Sequence, residues 1–149
     1  MLVTEAFFDP DGSCRLIDRF ERTEIRWPSV EAWAADWATE WRSHEWGGAT
    51  DFMHVACDDR TPGVVEALVV LAESAAGDAD LLAMIGAGPM EHLLSHSGHG
   101  LAVLPDADRA ARRSQAFRTA LGSVLLGSGV PKPVSRWWAE FDPRRTERP

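Results

Sequence analysis

Cysteine is scarce in this 149-residue chain: Cys14 and Cys57 are the only two, and they do not form a Cys-x-x-Cys pair. That excludes a disulfide framework and a thiolate metal site, so both thiols are expected free and reduced. Lysine is scarcer still. Of 15 basic residues only Lys132 is a lysine, and 23 acidic residues leave a formal net charge of -8. Nucleic acids and anionic membranes attract basic surfaces, so this balance argues against both as general partners. No apolar run approaches bilayer-spanning length, and Glu5 and Asp9 deny the N-terminus the basic start and apolar core of a signal peptide. Cytoplasmic residence is the expectation. Gly-x-Ser-x-Gly, His-Glu-x-x-His, a P-loop and Gly-x-Gly-x-x-Gly are all missing, so no familiar nucleophile, zinc or nucleotide chemistry is indicated and no cofactor is expected.

What remains is an ordinary globular composition, 45% apolar and 26% charged, at a length that suits one domain with its own core. The organising stretch is Leu81 to Leu94. Gly86 and Gly88 are poor helix-interior residues, and Pro89 suits a first helical position, where its missing N–H is unpaired anyway. One helix is therefore expected to stop near Gly86 and another to start at Pro89. With Gly88 as N-cap, Glu91 reaches the third helical position, where its carboxylate can bond back to the cap. Gly88, Pro89 and Glu91 are thus read as a structural motif.

Upstream, Met1 to Phe8, the turn Asp9-Pro10-Asp11-Gly12 and the run from Cys14 to Ile25 favour a hairpin, although Leu16, Ile17 and Phe20 would equally suit a helical turn. Ser29 caps a helix in which Val30, Trp33, Trp37 and Trp41 form an aromatic ridge. Core packing is the preferred reading of that ridge, and docking of a partner is the other. Trp46-Gly47-Gly48 reads as a loop. Thr50 to Cys57 reads as a short helix or an extended connector. Thr61-Pro62 opens the most buried helix, running to Ala76. Asp78 caps the next. Ser95 to Gly100 is expected as a loop and Leu101 to Leu104 as a connector. Pro105 should open a helix that carries Phe117, Leu121, Val124 and Leu125 and ends at Gly127. Pro131 and Pro133 preface a last helix, Val134 to Phe141. The whole predicts an all-α domain over 1–142, five or six short helices packed as helical hairpins, with residues 1–26 as an N-terminal extension able to form a small β-hairpin and 143–149 as a flexible tail.

The run Ile85-Gly86-Ala87-Gly88-Pro89-Met90-Glu91, followed by Leu93 and Leu94 and later by Phe117-Arg118 and Leu121, resembles an uncharacterised bacterial family, a domain of unknown function. Its pattern is Ala-Gly-Pro-Leu-Glu-Asp-Leu-Leu. The resemblance spans about Val30 to Leu126. Ala87, Gly88, Pro89, Glu91, Leu93 and Leu94 match, Met90 stands for leucine, and His92 replaces the aspartate. It implies a small all-α bacterial protein and no particular chemistry.

Candidate sites are few. His92, His96 and His99 recur at four and three residues, and His92 with His96 could hold a metal, but the supporting ligands of a usual site are missing and solvated helix-end histidines are preferred. His54 and Cys57 could form a thiol–imidazole pair, set against a cysteine that merely packs as a small hydrophobe. Arg109, Arg112 and Arg113 are best read as a solvated face paired with Asp106 and Asp108. Trp46, Trp137 and Trp138 lie outside the ridge and suit interface anchors. The reading is a non-catalytic protein-binding domain of the bacterial cytoplasm, of immunity or adaptor type, with an unknown protein partner. The alternatives are a small metal- or thiol-dependent enzyme and a homodimer joined through the Trp ridge.

Overall fold

The computed structural model describes residues 3–95 and 99–144. It overturns the all-α expectation: the chain is mixed, with a three-stranded antiparallel sheet ahead of its helices. Strands β1 (Thr4–Phe8), β2 (Cys14–Asp18) and β3 (Thr23–Trp27) pair in sequence order, Ala6 opposite Leu16 and Leu16 opposite Ile25. The first turn is the expected one, with Gly12 at φ +91° and the Asp11 carboxylate accepting from Ser13. The second explains the third strand. Asp18 accepts from the backbone N–H groups of Phe20 and Glu21, and Arg22 adopts φ +54°. That local turn divides Cys14 to Ile25 into two strands, so Leu16, Ile17 and Phe20 do not share a helix face. Ala6, Cys14, Leu16 and Trp27 are buried on one face of the sheet, while Glu5, Arg15, Glu24 and Arg26 lie on the other.

Helix α1 (Val30–Ser43) starts where Ser29 Oγ accepts from Ala32 N at 3.0 Å. Such a cap contributes about 1 kcal/mol. Losing a buried aromatic costs about 3–5 kcal/mol, so the ridge rather than the cap holds this helix. Trp33 and Trp37 are fully covered, and Trp33 Nε1 donates to Ala49 O at 3.0 Å. Phe52 on α2 (Gly48–Asp58) is the meeting point of sheet and helices, with ring centroids 5.2 Å from Phe8, 5.3 Å from Trp27 and 5.7 Å from Trp33. Helix α3 (Val64–Ser74) follows, apolar over most of its circumference and the most buried helix; it begins after Gly63, two residues later than Thr61-Pro62 suggests.

The organising stretch does not break in two. Helix α4 (Ala79–Ile85), capped by Asp78, runs into a π-helical turn (Gly86–Met90) and on into α5 (Glu91–Ser95). Pro89 has no N–H for Ile85 O, and its ring would crowd that carbonyl in a regular α-helix. Widening by one residue relieves the crowding, and Glu91 N–H donates to Gly86 O, five residues back. Gly88 is therefore no N-cap, and the Glu91 carboxylate instead accepts from Leu125 N at 2.7 Å. Gly86 allows the turn to lie directly on a neighbouring helix: a Cβ there would come 1.9 Å from Ala120 O.

The expected connector Leu101 to Leu104 belongs to α6 (His99–Arg113), with Pro105 inside it rather than opening it. The Ser114 hydroxyl accepts from Phe117 N and starts α7 (Gln115–Leu121), which divides the single helix expected from Pro105. Helix α8 (Lys132–Ala139) closes the described fold, and one cluster of buried apolar side chains runs from Ala6 to Trp138.

Candidate functional site

The ridge of α1 leaves the core at its last member. Trp41 is only partly buried, and beyond it His44 takes a left-handed conformation, φ 56°, that ends the helix and folds the chain back. Trp46 thereby comes to rest on Trp41, ring centroids 4.5 Å apart, while Trp41 stacks on Trp37 at 5.1 Å. The Glu40 carboxylate fixes this return. It accepts from the backbone N–H groups of Gly47, Ala49 and Thr50 at 2.8–3.0 Å and from the Thr50 hydroxyl, satisfying the orphan donors at the start of α2.

On one side of the Trp41–Trp46 pair lies a cleft of about 550 Å³, floored by the π-turn at Gly88 and Pro89 and walled by His54, Glu91, His92 and Ser95. His54 and Asp58 stand one turn apart on α2, and α5 brings His92 to both. The His92 imidazole contacts the Asp58 carboxylate through Nε2, and its ring centre is 5.6 Å from that of His54. Two buried polar atoms beside this cleft, Trp41 Nε1 and Ser95 Oγ, have no hydrogen-bond partner among the described residues. On the other side lies a second hollow of similar size, bounded by Arg42, Asp78, Asp80, Leu81 and Met84. Arg42 pairs with Asp78 there at 3.1 Å, leaving Asp80 as added negative charge. Trp46, 55% exposed, is the crest between the two hollows.

The other sequence candidates are placed differently. Trp137 and Trp138 are 9% exposed and committed to packing: Trp137 Nε1 donates to Asp108 at 3.0 Å and Trp138 Nε1 to Leu121 O at 2.9 Å. They hold α8 to the body of the fold and are not available as anchors, which leaves Trp46 alone of the three. Cys57 is fully buried, facing Met53 Sδ and Pro89 O, whereas His54 is exposed, so the two do not form a nucleophilic pair. Burial, with a smaller contribution from Asp58, pushes the Cys57 thiol far above its ordinary range. His96 lies outside the described residues. Among the described residues no three His, Cys, Asp or Glu side chains are grouped to hold a metal ion.

Asp58 and His92 are 34 positions apart, and the proximity arises only when α5 docks on α2. The one local signal was the four-residue spacing of His54 and Asp58, which puts both on one helical face. Chemically, the Asp58 carboxylate orients the imidazole of His92, but the Ser95 hydroxyl makes no hydrogen bond to it and Cys57 is out of reach. What the surface offers is aromatic faces bordered by carboxylates, a setting for cationic or amphipathic groups. Against protein-family models, curated proteins and solved structures, the chain finds no match.

Proposed function

We propose that this chain is a non-catalytic protein-binding domain that receives a basic segment of its partner across Trp46. The observation that carries the reading is the half-exposed Trp46 indole set between two hollows, with Glu91 on one side, where Asp58 stands behind His92, and Asp80 on the other. Tryptophan is a frequent interface anchor because one rigid side chain supplies much apolar area at small entropic cost. Its face also attracts lysine and arginine. An adaptor or an immunity-type protein fits this description, the latter because an acidic surface complements a basic target. The resemblance to the Ala-Gly-Pro-Leu-Glu-Asp-Leu-Leu family belongs to the same proposal, and in it the histidine at position 92 is what gives Asp58 a partner that an aspartate could not be.

The test is capture from lysate of the source organism with the wild-type chain and with Trp46→Ala, matched for thermal stability. Trp46 is half exposed and rests on the partly buried Trp41, so the variant should melt close to wild type. The expected result is a basic protein retained by wild type and lost, by tenfold or more on the usual scale of a hot-spot residue, from the variant. Equal retention by both forms, an acidic partner, or no partner at all would overturn the reading.

A further inference from the structure

Strand β3 is one open side of the sheet. It pairs with β2 along all of Thr23–Trp27, and among the described residues no hydrogen bond reaches its outer edge. Four of its five residues are exposed, Ile25 by 42%. An edge of free N–H and C=O groups pairs with another strand unless something deters it, and the common deterrent is charge. Here the charges have opposite signs and stand symmetrically about Ile25. Glu24 precedes it and Arg26 follows it, both on the face of the sheet turned away from α2.

That symmetry selects the occupant. If a second copy lays its own β3 antiparallel to this one, centred on Ile25, Glu24 faces the partner's Arg26 and Arg26 faces the partner's Glu24. Charges that would repel a strand chosen at random make this strand complementary to itself. Within one chain Glu24 lies 3.6 Å from Arg26 and 3.9 Å from Arg15, with about half of its side chain in solvent. Exposed pairs of that kind contribute little, so exchanging them for cross-strand pairs costs little. Ile25 rests on the first turn of α2, close against Gly48, and its exposed remainder would meet the partner's Ile25.

We propose that β3 is a self-pairing edge through which two copies join their three-stranded sheets into one continuous antiparallel sheet. Ile25 lies against Gly48, two residues from Trp46, so the two surfaces are neighbours, but β3 pairing rests on the free strand edge and its charges and not on the indole.

Sedimentation equilibrium at low salt, up to millimolar chain concentration, tests this with Glu24→Arg and Arg26→Glu, alone and mixed. Both side chains are about half exposed and outside the core, and circular dichroism checks that each variant is folded. Wild type should dimerise, and each single variant should dimerise roughly tenfold more weakly or worse, because two attractive pairs become two repulsive ones. An equimolar mixture of the two variants should recover the dimer, since one then carries two positive charges at the edge and the other two negative. The double variant Glu24→Arg, Arg26→Glu should recover it alone. A monomeric wild type, single variants that dimerise like wild type, or a mixture that stays monomeric would each overturn the proposal.

Discussion

The two thiols show how burial decides the chemistry of a residue. Cys14 sits at the junction of sheet and α1, where burial foremost, then the charges of Asp9 and Glu31, push its thiol up to about 11. Cys57 is raised further, again mainly by burial. A thiolate is the reactive species, so in mildly alkaline buffer neither residue should react with a disulfide reagent while the protein is folded. Both should react at once in denaturant. Titration with and without guanidinium distinguishes the cases, and rapid modification of the native protein would show that one thiol is reachable. The same contrast separates the indoles: seven tryptophans have one side-chain chemistry, yet Trp33 and Trp37 are core, Trp137 and Trp138 are clasps, and Trp46 stands in solvent.

At the scale of elements, α8 is held to α6 by a polar junction as well as by the packing of its indoles. Asp108 on α6 accepts from Arg112 at 2.9 Å and from Trp137 Nε1 at 3.0 Å. Arg112 first, then the indole, hold its carboxyl below the usual carboxylate value of 3.8. A carboxyl depressed in the folded state stabilises the fold above its unfolded value and loses that contribution as pH falls through the folded one. Asp108→Asn keeps an acceptor for the indole and removes the charge. It should lower the urea midpoint at neutral pH, and the difference from wild type should close as pH drops below 3.8. A difference that persists unchanged in acid would mean the charge is not the stabilising element. The π-turn acts at the same scale, because it carries α4 into α5 without a break, and α5 holds the His92 that meets Asp58.

For the whole molecule, net charge and the position of the docking crest act together. With a formal charge of -8 and carboxylates on both sides of Trp46, attraction to a basic partner is long-ranged and screened by salt. Affinity for the captured partner should therefore fall as ionic strength rises, chiefly through slower association, and surface plasmon resonance across a salt series measures it. A salt-independent association rate would assign the interaction to the indole alone. Among the described residues no helix is long and apolar enough to cross a membrane.

Local chemistry settles much of this protein before any folding is considered. Ser29 and Asp78 cap the helices they announce, the four-residue steps of Trp33, Trp37 and Trp41 set one ridge, and Asp11-Gly12 turns the first hairpin, because each depends only on neighbours within a turn. Elsewhere local chemistry and tertiary packing act together. The Asp18 turn divides Cys14 to Ile25 into two strands whose apolar face is buried, and Pro89 widens Gly86 to Met90 into a π-turn that Gly86 lets pack against α7. The cleft belongs to tertiary structure alone. Trp41, Trp46, His54 and His92 come from α1, its return loop, α2 and α5, and no spacing along the chain encodes a distance between segments that meet only when the core closes.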